Sequence, residues 1–143
     1  MDADPARRLF GGQRVARLAT ADPGGAPHLV PVTFVLTGDR VVIAVDHKPK
    51  TTTDLKRLRN IRANPRVALL ADHYDDDWTR LWWVRADGTA RVLDPDAAGS
   101  GEAVDALVRK YEQYRRTRPA GPVILVDVTR WSGWSSSPSA CER

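Results

Sequence analysis

The sequence predicts a mainly β protein in which an antiparallel sheet closes into a barrel with flanking helices. Short strand-like runs follow one another with turn residues between them, and the alternating strand–helix repeat of a parallel sheet is missing. At 143 residues the chain can bury one core but not two. We therefore expect a single barrel domain over residues 1–134 and a flexible serine-rich tail over residues 135–143.

The first part of the chain predicts a short helix followed by three antiparallel strands. Ala3–Phe10 has a helix-forming composition and ends at a pair of glycines. Strands are then expected at Val15–Thr20, His28–Leu36 and Val41–Val45, with turn residues between them. The β-branched run of the third strand is typical of a buried central strand.

The rest of the chain predicts two helices and four strands. In order, these are a helix over Thr51–Asn60, strands over Arg66–Ala71, Trp78–Val84 and Ala90–Leu93, a helix over Glu102–Arg116 and a strand over Val123–Trp131. Residues 86–89 have the composition of a turn. In the last strand both sets of alternate residues are apolar, so both of its faces are expected to be partly buried.

Several classes of site are not expected from the composition. No apolar run approaches the roughly 20 residues that cross a bilayer, and the polar N-terminus is unlike a signal peptide, so we expect a cytoplasmic protein without membrane contact. The single Cys141 cannot form an internal disulfide. The acidic run Asp72–Asp77 does not match a calcium loop and the histidines are scattered, so no metal site is expected.

Positive charge is concentrated in one short stretch. The formal net charge is +4, and six cations lie close together at Lys48, Lys50, Lys56, Arg57, Arg59 and Arg62. Such a stretch suits an anionic partner, which could be nucleic acid, a lipid surface or a phosphorylated cofactor; the alternative is a solvated helix face. No nucleic-acid-reading motif accompanies it, so nucleic acid is not the expected partner.

The junction between the third strand and the following helix has the chemistry of a phosphate site. The free N–H groups of a helix start would lie beside Lys48, Lys50 and the hydroxyls of Thr51 and Thr52. The alternative is an exposed, well-capped helix start with incidental lysines.

Two motifs resemble a known family. Residues 45–51, followed by Leu55, Arg57, Leu58 and Asn64-Pro65, are similar to the pyridoxamine 5'-phosphate oxidase-like split barrels. The run from Asp72 to Arg85, with Trp78, Trp82 and Trp83, is similar to one subgroup of its actinobacterial branch, associated with the deazaflavin coenzyme F420. The likeness extends over residues 7–134.

The resemblance implies a six-stranded antiparallel split β-barrel of the FMN-binding type, which forms a two-fold homodimer with a cofactor site at each interface. It places the cofactor phosphate on Lys48, Lys50 and Thr51, supported by Thr52 and Arg57. It places the cofactor ring against Pro31, Val32, Thr33, Val45, Asp46 and His47. A proline inside an apolar strand agrees with an edge or with a close ligand approach.

The function implied by the resemblance is an F420-dependent oxidoreductase that transfers a hydride between F420 and a small conjugated or heteroaromatic substrate. An FMN-binding oxidoreductase and a non-catalytic F420 or flavin carrier are the alternatives. No nucleophile elbow, Walker loop or triad is found, so no catalytic side chain is assigned. Lys56, Arg57, Arg59 and Arg62 would suit the oligoglutamate tail of F420.

Overall fold

The computed structural model describes residues 1–45 and 55–137. Within them lie the helices α1 (Ala3–Gly11), α2 (Lys56–Ala63), α3 (Ser100–Lys110) and α4 (Glu112–Arg116). The strands are β1 (Ala16–Ala21), β2 (Pro27–Val32), β3 (Val35–Thr37), β4 (Arg40–Ala44), β5 (Arg66–His73), β6 (Trp82–Leu93) and β7 (Val123–Ser135). A short 3-10 helix, Trp78–Arg80, precedes β6.

The strands form one curled antiparallel sheet in the order β2-β1-β5-β6-β7-β4-β3. The two longest strands, β6 and β7, pair along almost their whole length and join the two halves of the sheet. This is a split barrel with flanking helices, as predicted. The sheet has seven strands in the described part of the chain, whereas the family resemblance implied six.

The curled sheet encloses the main core, and α3 covers a smaller one on its outer side. Inside, the Phe10 ring lies 4.7 Å from the Phe34 ring and 5.4 Å from the Trp131 ring, between centroids. On the last strand, Ile124 and its alternate neighbours face this core, while Val123 and its alternate neighbours pack with α3. Both faces of the last strand are therefore buried near its start, which confirms the expectation.

The predicted second strand is interrupted. Instead of one strand over His28–Leu36, β2 ends at Val32 and β3 begins at Val35, with Thr33 and Phe34 between them. The main chain of Phe34 is hydrogen-bonded by the side chain of Tyr111, which lies far along the chain. A tertiary contact thus replaces ladder pairing at this position.

Two predicted strands are instead one. Residues 86–89 do not turn the chain; β6 runs through them from Trp82 to Leu93 and carries a bulge against β7 between Asp87 and Gly88. A Cβ atom on Gly88 would overlap the carbonyl oxygen of Asp127. The glycine is needed for close strand approach at the bulge and not for a turn. Residues 78–80, predicted as strand, form the 3-10 helix.

The two longer predicted helices, over residues 51–60 and 102–116, both differ from their predicted extents. Helix α2 begins at Lys56 because Leu55 is extended, so it does not continue a helix from Thr51. The predicted helix Glu102–Arg116 is divided into α3 and α4 at Tyr111, whose φ of −116° and ψ of 125° are extended. The first helix lies where it was predicted. No helix among residues 1–45 and 55–137 is long and apolar enough to span a bilayer.

Candidate functional site

The predicted site residues divide into two groups. Asp46, His47, Lys48, Lys50, Thr51 and Thr52 lie outside the described residues. The described ones are Pro31, Val32, Thr33, Val45 and Arg57; all but Val45 line one cavity of about 370 Å³, whereas Val45 is buried in the main core. Two sets of residues that are far apart in sequence, at the end of β2 and on α2, therefore meet at one place.

The remaining wall of the cavity comes from the segment that begins at Tyr111, between α3 and α4, continues through α4 and ends at Thr117. Its lining residues are Tyr111, Gln113, Tyr114 and Thr117, and β4 adds Ala44. The sequence analysis did not find these four polar residues as site residues. The three hydroxyl-bearing residues recur at a spacing of three along the segment, and this pattern was available in the sequence.

The two tyrosines attach this segment to the break between β2 and β3. The hydroxyls of Tyr114 and Thr33 lie 2.7 Å apart in a hydrogen bond. The Tyr111 hydroxyl accepts a hydrogen bond from the Phe34 N–H at 3.0 Å and lies 2.8 Å from both the Phe34 and the Arg14 carbonyl oxygens. The interrupted strand is therefore held by side chains at the point where it borders the cavity.

Lys110 also contacts the break between β2 and β3 and links it to the residues after α1. Its ammonium group donates to the carbonyl oxygen of Gln13 at 2.7 Å and lies 3.9 Å from the centre of the Phe34 ring. Burial, with a smaller effect of the Arg14 charge, lowers the pKa of Lys110 from 10.5 to about 8. Burial also raises the pKa of Tyr111, so its phenol keeps its proton at neutral pH.

Arg57 supplies the formal charge among the described residues that line the cavity. It is half-buried on α2, whereas Lys56, Arg59 and Arg62 of the same helix are exposed and do not line the cavity. Because successive residues point about 100° apart around a helix, the four cations cannot share one face. Of the four cations of α2, Arg57 is therefore the one that lines the cavity in the described part of the chain.

The acidic segment after β5 forms local contacts. Asp75 lies 3.6 Å from the Arg80 guanidinium. The carboxylate of Asp77 accepts a hydrogen bond from the N–H of Thr79 and so caps the start of the 3-10 helix. Hydrogen bonds from Thr79 lower the pKa of Asp77. In the described ranges, no group of three or more His, Cys, Asp and Glu residues is arranged to hold a metal ion.

The fold is that of a split-barrel protein, and its cavity lies beside the break between β2 and β3. The family model described as pyridoxamine 5'-phosphate oxidase matches residues 3–135, so the chain belongs to that family. The match covers nearly the whole chain and includes every described strand and helix.

Solved structures from several bacteria share this fold. An FAD-binding protein from Mesorhizobium loti is 22% identical with a TM-score of 0.71, and the alignment covers 93% of this chain and 94% of that one. The haem storage protein HutZ from Vibrio cholerae is 15% identical with a TM-score of 0.70, covering 94% and 95%. An FAD-binding protein from Mycobacterium smegmatis is 21% identical with a TM-score of 0.62, covering 94% and 96%. At these identities the likeness establishes the fold alone.

Proposed function

We propose that the chain binds a phosphate-bearing flavin-type cofactor in the cavity at the β2–β3 break and acts as an oxidoreductase on a small molecule. The observation that carries this proposal is that Pro31, Val32, Thr33 and Arg57 line the same cavity. The first three were predicted to lie against a cofactor ring and the fourth to support its phosphate. Family membership and two FAD-binding structural relatives support the flavin class.

The chemistry of the lining fits such a group. Pro31 and Val32 offer apolar surface for a flat ring, Thr33 and Gln113 offer hydrogen-bonding groups for its polar edge, and Arg57 offers a cation for an anion. In the proposed complex, Lys48, Lys50, Thr51 and Thr52 bind the phosphate, while Asp46 and His47 border the ring. When bound, the cofactor supplies hydride transfer, and the residues of the chain bind it, orient it and exclude water.

Within the flavin class we propose F420 as the cofactor, with FMN as the alternative. This finer assignment rests on the likeness of residues 72–85 to the F420-associated branch and on the cations of α2. Lys56, Arg59 and Arg62 are exposed beside the cavity-lining Arg57, where they can attract the anionic tail of F420 through solvent. A carrier that binds the cofactor without turnover uses the same site and is distinguished by the absence of substrate-dependent reoxidation.

We further propose that the protein is a homodimer that forms through the outer face of β2, β1, β5 and β6. Arg17, Leu70 and Arg85 lie side by side across three strands of this face. Leu29 is 66% exposed and Leu70 is 39% exposed, which is a large apolar exposure for a sheet face. Asp72 adds the opposite charge, so two copies related by a two-fold axis can pair arginines with carboxylates.

The proposed dimer face reaches the cavity. Arg17 pairs across strands with Pro31, which lines the cavity. The cross-strand row Arg85, Leu70, Arg17 therefore continues to Pro31 at the cavity wall. A second copy on this face would border the ligand and complete its enclosure. This arrangement is the expected homodimer with cofactor sites at the interface.

The experiment is a titration of the protein with F420, FMN and FAD separately, followed by tryptophan fluorescence quenching. Arg57→Ala is expected to weaken binding of the preferred cofactor about tenfold, which corresponds to about 1.4 kcal/mol. Arg62→Ala, an exposed arginine on the same helix, is the matched control. It should leave FMN affinity unchanged and weaken F420 affinity, because the proposal places the anionic tail along this helix; an unchanged F420 affinity would contradict that part of the proposal.

The outcomes separate the proposals. If FMN or FAD binds more tightly than F420, the deazaflavin assignment is wrong and the flavin class stands. If none of the three binds, the cofactor site is wrong. Reoxidation of the reduced, bound cofactor by a panel of conjugated and heteroaromatic acceptors then distinguishes the enzyme from the carrier.

A further inference from the structure

The break between β2 and β3 is held by residues that the proposed function does not explain. Thr33 and Phe34 leave the antiparallel ladder at the point where the strand passes the cavity. Main-chain groups that leave a ladder inside a protein need other partners. Two tyrosines from one short segment supply contacts here, and both tyrosines also line the cavity.

Tyr111 uses its full hydrogen-bonding capacity on the main chain. A phenol has one proton to donate and can also accept. The Tyr111 oxygen accepts from the Phe34 N–H and donates its proton to the carbonyl oxygen of either Phe34 or Arg14, both 2.8 Å away. Tyr111 therefore fixes the path of the break and retains no proton for a ligand.

Tyr114 has a different role. Its ring lies edge-on to the Tyr111 ring at 5.4 Å between centroids, and its hydroxyl meets the Thr33 hydroxyl at 2.7 Å. Two hydroxyls carry two protons, and their mutual hydrogen bond uses one of them. The second proton remains available for another acceptor. Because Thr33 and Tyr114 both line the cavity, that acceptor can be an atom of the ligand.

We propose that Tyr114 is a positioning residue for Thr33, and that the Thr33–Tyr114 pair donates one hydrogen bond to an acceptor atom on the ring of the bound cofactor. This inference rests on the proposed cofactor site. It adds a specificity element from α4, whereas the phosphate is assigned to the opposite, cationic side. The ligand selected is a ring with a carbonyl oxygen or an unprotonated ring nitrogen at the edge that meets α4.

The test compares FMN with riboflavin, which has the same ring and no phosphate. Tyr114→Phe keeps the ring that packs on Tyr111 and removes the hydroxyl, and Thr33→Val removes its partner. Each variant is expected to bind the tightest-binding cofactor, whether F420 or FMN, about tenfold more weakly, and to bind riboflavin more weakly by the same factor. The double variant should bind each ligand no more weakly than whichever single variant binds that ligand less tightly. The reason is that either change alone already breaks the Thr33–Tyr114 hydrogen bond.

The controls separate positioning from folding. Tyr74→Phe, at an exposed tyrosine, should leave both affinities unchanged. Arg57→Ala should weaken FMN binding more than riboflavin binding, because in the proposed complex this side chain faces the phosphate. The thermal midpoint of each variant is recorded, and a loss of affinity at an unchanged midpoint in Tyr114→Phe supports positioning.

Three results would overturn the inference while leaving the cofactor site in place: unchanged affinities in Tyr114→Phe, a loss for FMN but not for riboflavin, and additive losses in the double variant. If the unaltered protein binds FMN and Tyr114→Phe does so equally well, only this inference fails. If the unaltered protein binds neither flavin nor F420, the proposed function fails first.

Discussion

Lys110 keeps a charged amine in a partly buried position beside an aromatic ring. Its hydrogen bonds to the Gly11 and Gln13 carbonyl oxygens and its contact with Phe34 favour the charged form, whereas burial and the nearby Arg14 oppose it. The net result is a pKa of about 8. This residue joins the end of α1 and the residues after it to Phe34 at the strand break and to α3, so its protonation is linked to the stability of these contacts.

The contribution of Lys110 to the stability of the protein should therefore rise with pH above about 8. Between pH 8 and 10.5 the unfolded chain binds a proton at Lys110 that the folded chain has lost, and the free energy of unfolding rises wherever the unfolded state binds more protons. The raised pKa of Tyr111 keeps its phenol neutral in the lower part of this window. Urea unfolding at pH 7.5, 8.5 and 9.5 measures the effect against Lys110→Met, which lacks the titrating group.

The difference in unfolding free energy between the unaltered protein and Lys110→Met should grow in favour of the unaltered protein over this series. A difference that stays constant from pH 7.5 to 9.5 would show that the amine is not desolvated in the folded state.

Removing the hydroxyl of Tyr111 should destabilise the protein by about 1–3 kcal/mol, the typical effect of leaving a buried polar group without its partner. In Tyr111→Phe the N–H of Phe34 loses its acceptor, and one carbonyl loses its donor. Urea denaturation gives the change, with Tyr74→Phe as the matched exposed control. Equal stabilities of the two variants would mean that the hydrogen bonds between the Tyr111 hydroxyl and the main chain of Phe34 do not stabilise the protein.

The elements show how far local sequence patterns determine this fold. The first helix, the β-branched central strand and the two-sided burial at the start of the last strand were predicted because each depends on near neighbours in sequence. The break at Thr33 was not predicted, since its cause is a hydrogen bond between residues 77 positions apart. The predicted helix over residues 102–116 divides at Tyr111, the residue whose side chain makes this distant contact.

The continuity of β6 was missed for a related reason. The composition of residues 86–89 is that of a turn, but pairing with β5 on one side and β7 on the other holds these residues in a strand. The hydrogen bonds and side-chain packing with two neighbouring strands outweigh the turn propensity of these residues. A glycine in such a place indicates close backbone approach as readily as a turn, and the sequence alone does not distinguish the two.

Gly88→Ala should therefore destabilise the protein by about 1–3 kcal/mol, the usual effect of overpacking. The new methyl group would overlap the main chain of Asp127, and the bulge would have to shift. Gly101→Ala, in the first turn of α3 with open space around it, is the control and should be neutral or slightly stabilising. Thermal denaturation of both variants is sufficient; a Gly88→Ala midpoint equal to that of the unaltered protein would contradict the close approach.

At the scale of the whole molecule, the outer face of the sheet and the cavity belong to one continuous surface. The family resemblance predicted Pro31, Val32, Thr33 and Arg57 as site residues, and all four line the cavity, but it did not predict the wall formed by Gln113, Tyr114 and Thr117. Motif likeness identified residues at the end of β2 and on α2. The opposite wall is brought in by the path of α4 across the barrel, which no local pattern contains.

The proposed dimer predicts that Leu70→Glu yields a monomer. The new carboxylate would lie between Arg17 and Arg85 and pair with them, so the single chain should still fold, while the apolar contact between copies is lost. Sedimentation velocity measures the change, with Ala98→Glu at an exposed site beside α3 as the control. If the unaltered protein is a monomer, or if Leu70→Glu remains a dimer, this face is not the interface.

The central claim is that the cavity at the β2–β3 break holds a flavin-type cofactor, and a crystal structure of the protein grown with the tightest-binding cofactor tests it most directly. The account predicts a ring against Pro31, Val32 and Thr33, with its polar edge toward Tyr114 and its phosphate on the side of Arg57. A cofactor found elsewhere would contradict it, whether in the groove beside α3 that Arg40, Arg91 and Arg109 line or on the outer face of the sheet.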